Sequence, residues 1–266
     1  KKFYSECLSA YFSATETTLN MVATLCWYGN GEQAFTLSNI IRRWGSPTQR
    51  NQSEDILRRI PVMLLTYTCG VLALYRSKWS YLKTILVETS IASVPSTSYL
   101  PAPEWSPVRD FNKGLIFEKL YPDSVLSLSE DPGSEIIQDL LKQIFNRYIK
   151  VNIDLQNTFD LFEMITAVMM LKEGEGWIMS HRVVSRDYHM FDGRYDYIIN
   201  FWRDGGSQKY DWEFLIKLFD KDIGQLQETL KLYNEKAKYF LTQPGAEKFP
   251  DFFAIYKENR TGRKIT

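Results

Sequence analysis

Only two histidines occur in the chain, His181 and His189, and Arg182 lies between them. An imidazole at 189 and a guanidinium at 182 are the residue types that move a proton and hold a phosphate. They form the one constellation here suited to general acid–base work on a phosphodiester. No metal is expected, because no HExxH or CxxC frame surrounds either histidine. No cofactor is expected either. GxxxxGK[ST] and GxGxxG loops are absent, and Gly29-Asn30-Gly31 and Gly205-Gly206 read as stops and turns. The GxSxG elbow and protein-kinase signatures are also missing. Among the carboxylates Asp154, Asp160, Glu163, Glu173 and Glu175, the pair Asp160 and Glu163 shares a helix face at i, i+3. With no lysine or third acid at fixed spacing, these acids are expected on solvated faces and at caps.

A second candidate is a surface. Trp177, Tyr188, Phe191, Tyr195, Tyr197, Phe201 and Trp202 are interleaved with Arg182, Arg186, Arg194 and Arg203. Arginine among large aromatic rings is the composition of protein–protein hot spots, and stacking platforms for single-stranded nucleic acid look similar. Trp177, Arg182, Arg186, Tyr188, Arg194, Tyr195, Trp202 and Arg203 are therefore the binding candidates. That these rings simply lid a helical core is equally open. Thirty-two basic and 32 acidic residues leave no formal net charge, so no whole-chain electrostatic case exists for nucleic acid or an anionic membrane. The expected partner is a protein, with RNA as the alternative through Arg182 and His189, and no membrane.

The elements that would position these residues are helices. From Ser5 to Tyr28 apolar residues recur at three and four (Leu8, Tyr11, Phe12, Leu19, Val22, Ala23, Cys26), and Gly29-Asn30-Gly31 stops the run. A second helix runs from Glu32 to Trp44 and ends at Gly45-Ser46-Pro47; so short a turn predicts an antiparallel pair. Ser53 with Glu54 and Asp55 marks another start, and Pro61 a kink or a first turn. Val62 to Tyr75 is apolar all round and must be a central, buried helix. At this length the run falls short of the roughly 20 apolar residues that a membrane span needs. After Arg76-Ser77-Lys78 the chain returns through Trp79, Leu82, Ile85 and Leu86 as a second hairpin. Ala23 with Trp27, and Gly70 with Tyr75, are placed at the helix crossings, as in solenoid repeats.

The prolines at 95, 101, 103 and 107 break regular structure between Thr89 and Pro107. The predicted organisation is N-terminal helical hairpins over 1–94, a Pro-rich connection over 95–107, a C-terminal helical region over 108–241 and a tail over 242–266. Within the third part, helices are expected from about Ser134, as cap, to Tyr148 and from Leu155 to Leu171, with one or two more from Asp211 or Trp212 to Phe240. The segment 177–206 is irregular or short-stranded. The fold class is thus all-α or mostly α, with antiparallel hairpins arranged as a solenoid or a bundle. Three cysteines (Cys7, Cys26, Cys69) without a signal-peptide pattern read as buried thiols of a soluble, cytoplasmic protein. The start at Lys1 rather than Met reads as a piece of a longer chain or as processing.

Two resemblances follow from these residues. Arg182-x6-His189 resembles the Arg-x4-6-His motif of HEPN ribonucleases, all-helical enzymes in which such a pair acts on RNA. It departs from that pattern in the apolar Val183 after the arginine and in the unhelical character of the segment. The stretch RRIPVMLLTYTCGVLALYRSKWSYLKTIL, with FSATETTLNMVATLCWYGNGEQ before it and DLFEMITAVMML after it, resembles a helical region of large bacterial proteins. There such a region follows a sirtuin-like, nuclease or P-loop module in proteins associated with anti-phage defence. The resemblance covers about residues 10 to 175 and implies a non-catalytic interaction or sensing module. A ligand sensor with a pocket at the Pro-rich boundary is a third class to weigh.

Overall fold

The computed structural model describes residues 2–45, 59–92, 99–101, 132–172 and 216–240. The described chain is mostly α-helical, as the periodicity predicts: α1 (Lys2–Tyr28), α2 (Ala34–Gly45), α3 (Ile60–Tyr75), α4 (Trp79–Lys83), α5 (Pro132–Phe145), α6 (Asn152–Lys172) and α7 (Ile223–Phe240). A 3₁₀ turn (Gly31–Gln33) leads into α2, and a π turn (Thr84–Glu88) continues α4. The chain divides into two compact units, Lys1–Phe162 and Glu163–Thr266.

In the first unit α3 is the axis. Every residue from Ile60 to Leu74 is buried, and Pro61 stands in the first turn, where a missing N–H costs nothing. The other helices lie around it. α1 presents Thr15, Leu19, Val22, Ala23 and Cys26 at three- and four-residue spacing, and α2 presents Ala34, Leu37, Ser38, Ile41 and Gly45. Both pack on α3, as do α4 and α5, whereas α1 and α2 make little backbone approach to each other. The first hairpin expected from the short turn is therefore held together through α3 rather than chiefly by its own two helices.

The close approach at Gly70 also differs from expectation. Its open side faces the ring of Phe162 in α6, and a Cβ there would clash with the edge of that ring. Tyr67, one turn earlier, stacks at a tilt on Phe159, 5.2 Å between centroids, and meets Phe162 edge-on at 5.3 Å. Glycine at 70 is what lets three large rings share this crossing.

The Pro-rich stretch holds a small ladder. β1 (Ser90–Ala92) pairs antiparallel with β2 (Tyr99–Pro101), with Ile91 opposite Leu100. Pro101 ends the strand, where its lack of an N–H is tolerated. One helix start differs slightly from the predicted position. α5 begins at Pro132, so Ser134 lies within its first turn rather than ahead of it. The last predicted stretch is in two parts where it is described, a helical turn at 216–218 and then α7 from Ile223, while 211–215 lie outside the described residues. Asp222 caps α7: its Oδ1 accepts from the Gln225 amide at 2.9 Å.

In the second unit Met164, Ile165, Val168 and Leu171 of α6 are buried, as are Leu218, Phe219, Leu226, Leu230 and Tyr233. Lys172 at the end of α6 donates to the Leu218 carbonyl at 3.0 Å and pairs with Asp220 at 3.5 Å, its ammonium 5.5 Å from the Phe219 ring centroid. The turn that brings Asp220 there uses positive φ at Asp220 and Lys221. Among the described residues no helix is long and apolar enough to cross a membrane.

Candidate interaction site

The sequence-derived candidates Trp177, Arg182, Arg186, Tyr188, His189, Arg194, Tyr195, Trp202 and Arg203 all lie outside the described residues, as does the strand-or-loop segment 177–206. Among the described residues, however, the first unit assembles a cluster of the same composition from three distant points of the chain. Trp27 lies in the last turn of α1, Tyr75 ends α3, Arg76 follows it, and Tyr148 sits in the turn after α5. Trp27 stacks on Tyr75 with centroids 5.7 Å apart and planes 15° from parallel, and Tyr148 lies 5.2 Å away on a 40° tilt. The Arg76 guanidinium sits over the Trp27 ring, 4.9 Å from its centroid. All three rings are half-buried, Arg76 is exposed, and the neighbouring Tyr28 is 76% exposed.

Hydrogen bonds hold this platform from several sides. The Tyr148 hydroxyl pairs with Thr24 Oγ1 at 3.0 Å, and Arg147 donates to Asn20 Oδ1 at 2.6 Å, tying the turn after α5 to α1. The end of α1 leaves carbonyls with no intrahelical donor, and a cation is the natural partner for them. Lys78 fills that role, donating to the carbonyls of Trp27 at 2.8 Å and Gly29 at 2.6 Å. Tyr81 donates to the Asn30 carbonyl. Asn30 and Gln33 complete a capping box, with the Asn30 amide donating to Gln33 Oε1 at 2.7 Å. The second hairpin thus clamps the turn of the first.

The electrostatics around this clamp follow from burial. Burial first, then the charge of Arg76, pushes the Lys78 ammonium below its ordinary range. Burial, followed by Cys26 and Cys69, pushes the Tyr81 phenol up. Cys26 and Cys69 are free, buried thiols on α1 and α3. Burial, then the hydrogen bond with Cys26, holds the Cys69 thiol well above its usual range, so it stays protonated and unreactive.

Asp160 and Glu163 are a correction. Read from sequence as solvated acids, both are fully buried in α6, and each is engaged by a neighbouring group. Burying a carboxylate is costly, so their surroundings must meet that cost. Among the described residues no group of three or more His, Cys, Asp or Glu is placed to hold a metal ion.

Sequence reasoning missed the Trp27 cluster because its members are 48 and more residues apart, apart from the adjacent Tyr75 and Arg76. The only advance signal was Trp27 and Tyr75 each standing at the end of a predicted helix.

No protein-family model, no curated protein and no solved structure matches the chain.

Proposed function

We propose that this chain is a helical protein-interaction module and that the Trp27, Tyr75, Arg76 and Tyr148 platform is its contact surface. The observation that carries the reading is a half-exposed, stacked Trp–Tyr–Tyr set under an arginine, fixed by hydrogen bonds before any partner arrives. Tryptophan, tyrosine and arginine supply most hot-spot energy at protein interfaces, and rigid anchors lose little entropy on binding. The reading fits the resemblance to the helical region of large bacterial defence proteins. On that footing the partner is another domain of the parent chain or a separate protein, and catalysis belongs elsewhere.

The test uses the parent protein with Arg76→Glu or Tyr148→Ser. Both side chains reach the surface, so the fold, read by circular dichroism, should be unchanged. Native mass spectrometry and pull-down should show partner association weakened about tenfold or more, the scale of one hot-spot residue. Association unchanged in both variants, or a chain that turns over a substrate alone and binds nothing, removes the proposal.

A further inference from the structure

We infer that a cavity between α1 and α2 binds an organic anion with an apolar body, of the kind represented by a medium-chain carboxylate. The cavity follows from the packing of the first hairpin. Because α1 and α2 each lie on α3 and stay apart from one another, a space of about 540 Å³ opens between them. That volume is within the range of roughly 300–1,000 Å³ typical of small-molecule sites. The described residues lining it are Thr18 and Met21 from α1 and Ile40, Arg43 and Trp44 from α2.

These five residues specify a chemistry. Ile40, Met21 and the Trp44 ring make an apolar wall, and Met21, 60% exposed, has a flexible thioether that adapts to an irregular guest. The one charge is Arg43, which is exposed and makes no ion pair among the described residues. A guanidinium presents a planar fork of donors that matches a carboxylate in two parallel hydrogen bonds, and the Thr18 hydroxyl adds a further donor. An apolar body with an anionic head meets both parts of this lining. A cationic amphiphile would place its charge against Arg43, and a neutral one would leave the guanidinium unmatched.

The site is independent of the Trp27 platform. On α1, Asn20, Thr24 and Trp27 follow one edge of the buried stripe, and Thr18 and Met21 follow the other. A variant at one need not touch the other.

The experiment titrates the full chain with decanoate below its micelle concentration, by calorimetry and tryptophan fluorescence, beside decanol and decyltrimethylammonium. Decanoate is expected to bind saturably at one site, decanol about tenfold or more weaker for want of the charge-assisted hydrogen bonds, and the ammonium not saturably. Arg43→Gln should bring decanoate to the level of decanol without changing decanol. Thr18→Trp, which fills the cavity from a half-exposed position, should abolish both, with circular dichroism confirming the fold. Binding that is multi-site, equal for the cation, or indifferent to both variants overturns the inference. So does a dimer that Met21→Glu dissolves while decanoate does not bind, because a second copy would then be the occupant.

Discussion

α3 and α6 are the two helices buried along most of their length, and they reach that state from opposite compositions. From Ile60 to Leu74, α3 carries no charged residue, and its polar content is Thr66, Tyr67, Thr68 and Cys69. Between Thr158 and Met169, α6 is equally buried but includes Asp160 and Glu163 beside Phe159, Leu161, Phe162, Met164 and Ile165. An all-apolar helix announces its own burial, since no orientation leaves a polar face for water. A helix with two acids on one face announces the reverse. Only neighbours that engage those carboxylates can hold them inside, and those neighbours are not written in the helix itself.

The comparison can be broken most forcefully where α3 meets Phe162. Gly70→Leu should cost upwards of about 3 kcal/mol, because the new side chain must displace a packed ring and shift backbone. Urea denaturation reads the loss. Phe162→Ala in the same chain should recover part of it, and purely additive costs would show that the two do not share one space.

A paired test addresses the polar groups. Asp160→Ala should destabilise by about 1–3 kcal/mol, since it leaves the groups around the acid unmatched. Thr68→Val should be neutral or stabilising by up to about 1 kcal/mol, because the buried Thr68 hydroxyl has no hydrogen-bond partner among the described residues. If Asp160→Ala instead raises the melting temperature, the buried acids of α6 are retained for something other than folding.

The smallest expected effect is at alkaline pH, in the clamp between the hairpins. Tyr81 has a folded-state pKa above the ordinary value of 10.0. Its contribution to stability is therefore complete below pH 10 and is lost as pH rises through the folded value. Tyr81→Phe should flatten that alkaline loss in a series of melts. An unchanged slope would place its origin in other groups.

Much of the fold was legible because it rests on local signals. The three- and four-residue spacing in α1, the Gly29 stop, Pro61 in a first turn and the unbroken apolar run of α3 each follow from a few neighbouring residues. The Pro-rich stretch was legible as a break from helix but not as the β1–β2 ladder, whose pairing depends on two segments meeting. The expected role of Gly70 was right in kind and wrong in partner: a missing Cβ signals a close approach without naming what approaches.

For the candidate site the division is sharper. The sequence offered residues 177–206 because arginines and rings lie there side by side, whereas Trp27, Tyr75, Arg76 and Tyr148 are separated by turns and whole helices. Among the described residues, the sequence by itself determined which segments are helical, which helix is apolar throughout and where the first hairpin turns, since those depend on periodicity and turn chemistry within about one or two helical turns. The tertiary structure alone decided that the ends of α1, α3 and α5 converge, that α1 and α2 part to leave a cavity, and that Asp160 and Glu163 go inside. Each of these depends on what stands opposite a face, and a face carries no record of its neighbour.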